Sequence, residues 1–167
     1  MEDLYVDQVL VRYCTTTGIE NTRRISINET TINLDLRDIK SIDLLPLIWC
    51  SKLRKLSLRC NQITDVNLSP LSKCKNLESL LLSNNLLEEI DFDPLSECPH
   101  LQEIDIRNNN IRSVDLSPLF HCSELTSLKM DEGTTLTADL LLRSIGTWPE
   151  VLIDKFHKIL WKASPDV

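Results

Sequence analysis

An α/β solenoid is the fold this sequence predicts: a right-handed superhelix with a curved parallel sheet on its concave side and short helical or 3₁₀ turns on its convex side. Three observations predict it. The chain is self-similar at a period of 24 residues, one stretch of each unit alternates apolar and polar side chains, and another carries Ser-Pro-Leu or Asp-Pro-Leu. The stretch from Leu53 to Ile63 returns at Leu77 to Leu87 and again at Leu101 to Ile111. The second half of the unit recurs with it: Asp65-Val66-Asn67-Leu68-Ser69-Pro70-Leu71 comes back around Pro94-Leu95 and Pro118-Leu119.

Each part of the unit has a physical reading. Leu56 and Leu58, Leu80 and Leu82, and Ile104 and Ile106 alternate with polar neighbours, as a short strand does when one face is buried. Asn61, Asn85 and Asn109 follow these strands where the chain must turn; an amide there has both donors and acceptors for the backbone of adjacent coils, so the three form a structural ladder. The Pro of the Pro-Leu stretch fixes φ and suits the first turn of a short helical or 3₁₀ segment. Cys50, Cys74, Cys98 and Cys122 step by the same period and read as a second, inward-facing ladder, because free cysteine packs as a small hydrophobe. No unit buries its apolar face alone, so stacking supplies the stability.

Three copies of L-x-x-L-x-L-x-x-N-x-L, with Ile in places, together with a recurring second half, resemble the leucine-rich-repeat family. The resemblance implies the solenoid architecture and, since intracellular members mostly bind proteins, a partner protein or peptide on the concave face. Small capped members of similar size include phosphatase regulators, spliceosomal and dynein-associated subunits, and acidic nuclear phosphoproteins that engage histones; the long acidic tail of the last group is missing here. The regular Pro-Leu units with a Cys before each next repeat also look like multi-repeat proteins of some archaea and protists.

Carrying the register outward gives five strand-bearing units over residues 29–136. Arg37 stands at the Asn position of the first, and Gly133 replaces the Asn of the last. Solenoid ends expose core and need caps. Residues 1–28 form the expected N-terminal cap: Leu4, Val6, Val9, Leu10 and Tyr13 suit a short helix ending near Gly18, and the alternation from Arg24 to Asn28 suits a strand that hairpins into the first repeat. Residues 137–167 form the expected helical C-terminal cap, with one helix from Thr137 and a second from Pro149 whose apolar stripe is Leu152, Phe156, Ile159 and Leu160. The whole chain is read as one domain, with Met1 as a natural start and the C-terminus as open to trimming.

Composition narrows the function. The chain has 167 residues, 42% hydrophobic and 26% charged, the balance of a globular domain with a real core. A net charge of −7 repels phosphate backbones and anionic membranes, so neither nucleic acid nor membrane is an expected partner. The acidic start Met1-Glu2-Asp3 is unlike a secretory signal, and six cysteines without a C-x-x-C pair suit a reducing, cytoplasmic setting. His100, His121 and His157 are scattered, there is no HExxH, and GxGxxG, P-loop and GxSxG motifs are missing. No metal, cofactor or catalytic group is therefore expected, and Asp43, Asp91 and Asp115, which recur by period, read as turn or capping residues.

The period also says which side chains share the concave face. The expected partner-binding set is Lys55, Ser79 and Glu103 in one column, Ser57, Leu81, Asp105 and Lys129 in the next, and Arg59, Ser83 and Arg107 in the third. Leu81 is expected to be an exposed apolar anchor between Arg59 and Arg107, the composition of a binding hot spot. Trp49 on the convex side and Trp161 in the C-terminal cap are rival anchors, and Cys60 and Cys14, outside the ladder, are expected to be more exposed. The predicted function is thus a protein-interaction module, expected as a monomer; an accessory subunit presenting substrates to a ubiquitin ligase, phosphatase or GTPase is the alternative, and an enzyme with an unrecognised site the third reading.

Overall fold

The computed structural model describes residues 7–163. In chain order its strands are β1 (Gln8–Thr15), β2 (Glu20–Ser26), β3 (Thr31–Asn33), β4 (Ile39–Asp43), β5 (Lys55–Ser57) and β6 (Ser79–Leu81). They continue as β7 (Glu103–Asp105), β8 (Ser113–Asp115), β9 (Ser127–Lys129), β10 (Thr135–Asp139) and β11 (Ile159–Lys162). Ile32, Leu56, Leu80, Ile104 and Leu128 sit at the centres of β3, β5, β6, β7 and β9, which pair in parallel in that order. The register joins Thr31, Lys55, Ser79, Glu103 and Ser127 as successive partners, so one coil advances the chain by one repeat and one strand.

Opposite this sheet lie four 3₁₀ turns, Leu45–Trp49, Ser69–Lys73, Asp93–Glu97 and Ser117–His121, each with proline in its first turn. A second column of short polar side chains starts them and a fifth 3₁₀ turn, Leu140–Ser144. Asp43, Asn67, Asp91, Asp115 and Asp139 each accept, through Oδ1, the N–H two residues on, at 2.8–2.9 Å. Between sheet and turns, Leu56, Leu58, Leu71, Leu77, Leu80, Leu82, Leu95 and their counterparts form one continuous apolar core. Each fully buried leucine contributes about 2 kcal/mol relative to exposure, and almost all of that contact is with neighbouring coils.

The ends differ from expectation. Val9, Val11 and Tyr13 face the core while Leu10 and Arg12 face outward, a period of two, so this stretch is strand β1 and not a helix; Leu4 and Val6 lie outside the described residues. β2 turns back across Gly18 (φ 80°) to pair antiparallel with β1, so the hairpin lies within the cap and does not lead into β3. β4 closes that sheet on the other side of β1. At the C-terminus, Thr137 and Ala138 belong to β10, which pairs with β8, and only a 3₁₀ turn (Leu140–Ser144) follows. A short helix, α1 (Glu150–Lys155), begins after Pro149 as expected, but Ile159 and Leu160 belong to β11, parallel to β10. The end is sealed by aromatic rings: Trp148 meets Phe120, Phe156 and Trp161 at 5.3, 5.4 and 5.5 Å between centroids, and its Nε1–H donates to Leu142 O at 3.1 Å.

Candidate interaction face

The concave columns come together in register, but their side chains are already engaged with one another. Arg59 sends Nε and Nη2 to Asp35 Oδ2 in the preceding coil, at 3.1 and 2.9 Å, while Asp35 Oδ1 accepts the Ser57 hydroxyl and the Arg59 N–H. Arg107 makes a two-pronged bond to Asp105 through Nε and Nη2, at 3.0 and 2.8 Å. Lys129 reaches Glu103 at 2.7 Å, and Ser79 donates to the same carboxylate at 3.3 Å. Over the three columns four cations, Lys55, Arg59, Arg107 and Lys129, meet four anions, Asp35, Glu103, Asp105 and Asp131, so the face is neutral in a chain of net charge −7.

Burial desolvates Asp35 and Asp105 and by itself raises their pKa values, yet the hydrogen bonds and guanidinium beside each outweigh it and hold both below the usual carboxylate range. The Lys129 ammonium, bonded to Glu103, lowers that pKa against a smaller opposing desolvation.

Leu81 is a correction. It is only 5% exposed, and its register partners Ser57 and Asp105 are buried with it. The middle column, Ser57, Leu81 and Asp105, is buried along its length, while the outer columns carry the more exposed Lys55 and Arg59. Leu81 faces away from the core formed by Leu80 and Leu82, yet it does not offer an open anchor.

Ser83 is the position sequence reasoning undervalued. It is 4% exposed, and neither its hydroxyl nor its N–H has a hydrogen-bond partner among the described residues. The cause is local. Asp35 N–H is taken by Asn33 Oδ1 at 2.9 Å and Arg107 N–H by Asp105 Oδ1 at 3.2 Å, in each case from two residues back; two residues before Ser83 stands Leu81, which has no oxygen to offer. Two donors are left at the middle of the column, with Arg59 and Arg107 on the adjoining coils.

The ladders that hold this face are built from the expected residues. Asn61 Nδ2 donates to Leu34 O and Leu58 O while its Oδ1 accepts the Arg37 and Ile39 N–H groups. Asn85 and Asn109 repeat the pattern, with Oδ1 accepting Ile63 and Leu87 N–H respectively. At the last coil Asp131 stands in, accepting the N–H groups of Asn108 and Asn109. Cys74, Cys98 and Cys122 each donate their thiol to a carbonyl of the preceding coil at 3.3–3.4 Å. Burial pushes these thiols up to about 12, 11 and 12, and it raises Cys50 as well. All six cysteines are free; Cys60 is exposed and Cys14 half-buried. Sequence reasoning missed one further column: Leu36, Cys60, Asn84 and Asn108 all adopt left-handed φ, between 55° and 58°. The Asn pair at that position in two repeats was the available signal.

Among the described residues no group of His, Cys, Asp or Glu could hold a metal ion, and no helix is long and apolar enough to cross a membrane. The leucine rich repeat family profile matches residues 51–111 and 75–132, the same units whose strands line the concave sheet. The chain is a leucine-rich-repeat protein. Among solved structures, this leucine-rich-repeat chain is similar to internalin C2 of Listeria monocytogenes, at 26% identity and a TM-score of 0.51 over 79% of this chain and 51% of that one. It is also similar in fold to the ectodomain of the receptor kinase SOBIR1 of Arabidopsis thaliana, at 19% identity and a TM-score of 0.55 over 93% of this chain and 77% of that one. The match thus spans about half the length of internalin C2. No curated protein matches the sequence. The family's architecture is that of a protein-interaction module.

Proposed function

We propose that this leucine-rich-repeat chain is a non-enzymatic interaction module whose concave face takes an extended segment of a partner protein. The observation that carries the reading is Ser83, a residue at the centre of the face whose hydroxyl and N–H are engaged by no other described residue. A partner's main-chain carbonyl can accept from the Ser83 hydroxyl, which reaches solvent, or from its N–H, exchanging a water for a directed bond at the centre of the face. Arg59 and Arg107 each use only the Nε and Nη2 side of the guanidinium on a carboxylate, leaving Nη1 for the same partner. Lys55, Ser79, Glu103 and Lys129 line the rest of the surface; Ser57, Leu81 and Asp105, all buried, serve as its floor. Because the face is charge-neutral, shape and hydrogen bonding select the partner more than long-range attraction does. The module works as a monomer in a reducing, cytoplasmic setting, a reading supported by six free thiols, four of them buried as packing groups.

Affinity capture from a lysate of the source organism tests this. Ser83→Arg and Ser79→Lys each install the residue that the same column carries one coil earlier, Arg59 and Lys55, so the fold accommodates them while the face is blocked. A partner held by the wild-type protein and lost by both variants is the expected result. The same proteins captured by all three forms would overturn the concave-face reading. The identity of the captured protein separates a free-standing adaptor from a subunit that presents substrates to an enzyme.

A further inference from the structure

On the convex side, the first 3₁₀ turn breaks the rule its three successors keep. Stepping by one coil, the position of Leu45 is Ser69, Asp93 and Ser117, and that of Trp49 is Lys73, Glu97 and His121. The fold is therefore satisfied by polar residues at both places. Of the four proline-bearing turns only the first puts large apolar side chains there, and both stand open, Leu45 at 60% exposure and Trp49 at 67%; the last turn of the column, in the C-terminal cap, carries Leu141 and Ile145 at the same two positions. Two side chains of this size in water forgo about 2 kcal/mol each of burial. Tryptophan is also the side chain most enriched among binding anchors.

The charge around the pair is as distinctive. Residues 51–74 hold Lys52, Arg54, Lys55, Arg59 and Lys73 against the single acid Asp65, in a chain whose total is −7; Lys55 and Arg59 belong to the concave face, which leaves Lys52 and Lys73 beside Trp49 in sequence and in column. Lys73 is the residue next to Trp49 on the following coil, and Lys52 lies within the Cys50–Leu53 turn that follows Trp49. Both lysines are exposed, and among the described residues neither lies within ion-pair distance of a carboxylate, whereas Lys75 is paired with Glu97 and Arg54 with Glu78; Lys73 acts on Glu97, the next residue of its column, at longer range.

We propose that Leu45 and Trp49, with Lys52 and Lys73 beside them, form a second interaction surface that takes a short acidic protein segment carrying large apolar side chains. The apolar groups of the segment cover Leu45 and the Trp49 ring, and its carboxylates meet the two unpaired ammonium groups. This surface is independent of the concave face, so either can fail without the other. The rival occupant is a second copy of the chain, since residues 75–98 carry Glu78, Glu88, Glu89, Asp91, Asp93 and Glu97 against Lys75 alone.

The test is a titration of the ¹⁵N-labelled protein with two synthetic peptides that share leucine and phenylalanine positions, one filled with Asp and Glu between them and the other with Lys. The chain has three tryptophans, and Trp49→Phe identifies the Trp49 indole signal. The acidic peptide is expected to move that signal and the Lys73 amide in the wild type. Trp49→Lys, which installs the residue of the next coil, abolishes binding; the K52E/K73E double variant weakens it about tenfold, the effect of two partly screened charge pairs. Ser83→Arg leaves the titration unchanged, which separates this surface from the concave one. Equal shifts with both peptides, no shift with either, or an unaltered affinity in K52E/K73E would overturn the proposal. So would a Trp49 signal that moves on dilution without peptide, because the surface would then serve a second copy.

Discussion

The Asn85 amide donates to Leu58 O, 27 residues upstream, at 2.9 Å and to Leu82 O, in its own coil, at 3.0 Å, while its Oδ1 accepts Ile63 N–H at 3.1 Å. One side chain thus ties two coils together at three buried backbone groups. Replacing Asn85 by Ala leaves those groups without partners, and the expected loss is about 3 kcal/mol. Asn85→Asp keeps the acceptor but removes both donors and puts a carboxylate against two carbonyls, so it is expected to cost at least as much. Urea unfolding of the two variants checks the order; a loss below about 1 kcal/mol in Asn85→Ala would mean that water enters and replaces the amide.

The cysteine ladder gives a prediction at high pH. Burial raises Cys74 and Cys122 to about 12 and Cys98 to about 11, whereas an unfolded thiol ionises near pH 8.5. Between roughly pH 9 and 11 the native state therefore holds protons that the unfolded state has released, and stability falls as pH rises, by about 1.4 kcal/mol per pH unit for each such thiol. Replacing Cys74 and Cys122 by Ala should flatten the decline of unfolding free energy across this window. At pH 8 an aryl disulfide reagent should modify Cys60 quickly and Cys14 more slowly in the native protein, and the remaining four thiols only after unfolding. Fast modification of four or more native thiols would contradict an inert, packed ladder.

The parts of the molecule that repeat were legible, and those that occur once were not. Asn61, Asn85 and Asn109 announced their role because a step of 24 residues brings each beside its counterpart and because an amide suits that place. The caps have no second copy to compare. In β1 the spacing of Val9, Val11 and Tyr13 carries the strand period, but Leu10 among them also satisfies a helical stripe, and pairing with β2 and β4 decides between the two. On the concave face the column assignments followed from period alone, whereas accessibility did not. Leu81 is buried in the middle column with Ser57 and Asp105, and Arg107 pairs within its own coil while Arg59 reaches the preceding one. Arg107 has Asp105 two residues before it, a local cue, whereas Arg59 has Ser57 there and turns to Asp35 on the preceding coil, which only the tertiary register brings near.

Cys60 shares its left-handed backbone column with Asn84 and Asn108, and its φ is 57°. A side chain without local hydrogen bonding is strained there by about 1–2 kcal/mol, and asparagine relieves part of that cost. Asn108 already donates its amide to Asn84 Oδ1 at 2.9 Å, so an asparagine one coil earlier would extend the same row toward Asn84. Cys60→Asn is expected to stabilise the protein by about 0.5–1 kcal/mol, visible as a higher urea midpoint with an unchanged slope, and to remove the fastest-reacting thiol at the same time. A lower midpoint would show that the exposed thiol makes packing contacts the backbone argument omits.

Acid should act through the concave carboxylates. Desolvation favours the neutral form of Asp35, but the Ser57 hydroxyl, the Arg59 N–H and the Arg59 guanidinium together favour the anion more, so its native pKa lies below that of the unfolded chain. A group of that kind contributes stability in full above its unfolded pKa of about 4, and the contribution disappears as pH falls through the native value. Asp105, held down by Arg107 against its own burial, behaves in the same way. Ser57→Ala removes the 2.6 Å hydroxyl bond to Asp35 and leaves burial less opposed, so the Asp35 pKa rises and acid unfolding begins at higher pH. The variant is expected to be less stable than wild type by about 1–2 kcal/mol at pH 7, with the gap narrowing as pH falls through the lowered native pKa of Asp35. Urea titrations at a series of pH values measure that gap directly. A gap that stays constant down to pH 2 would mean that Ser57 acts through packing, leaving the Arg59 guanidinium alone to hold the Asp35 charge.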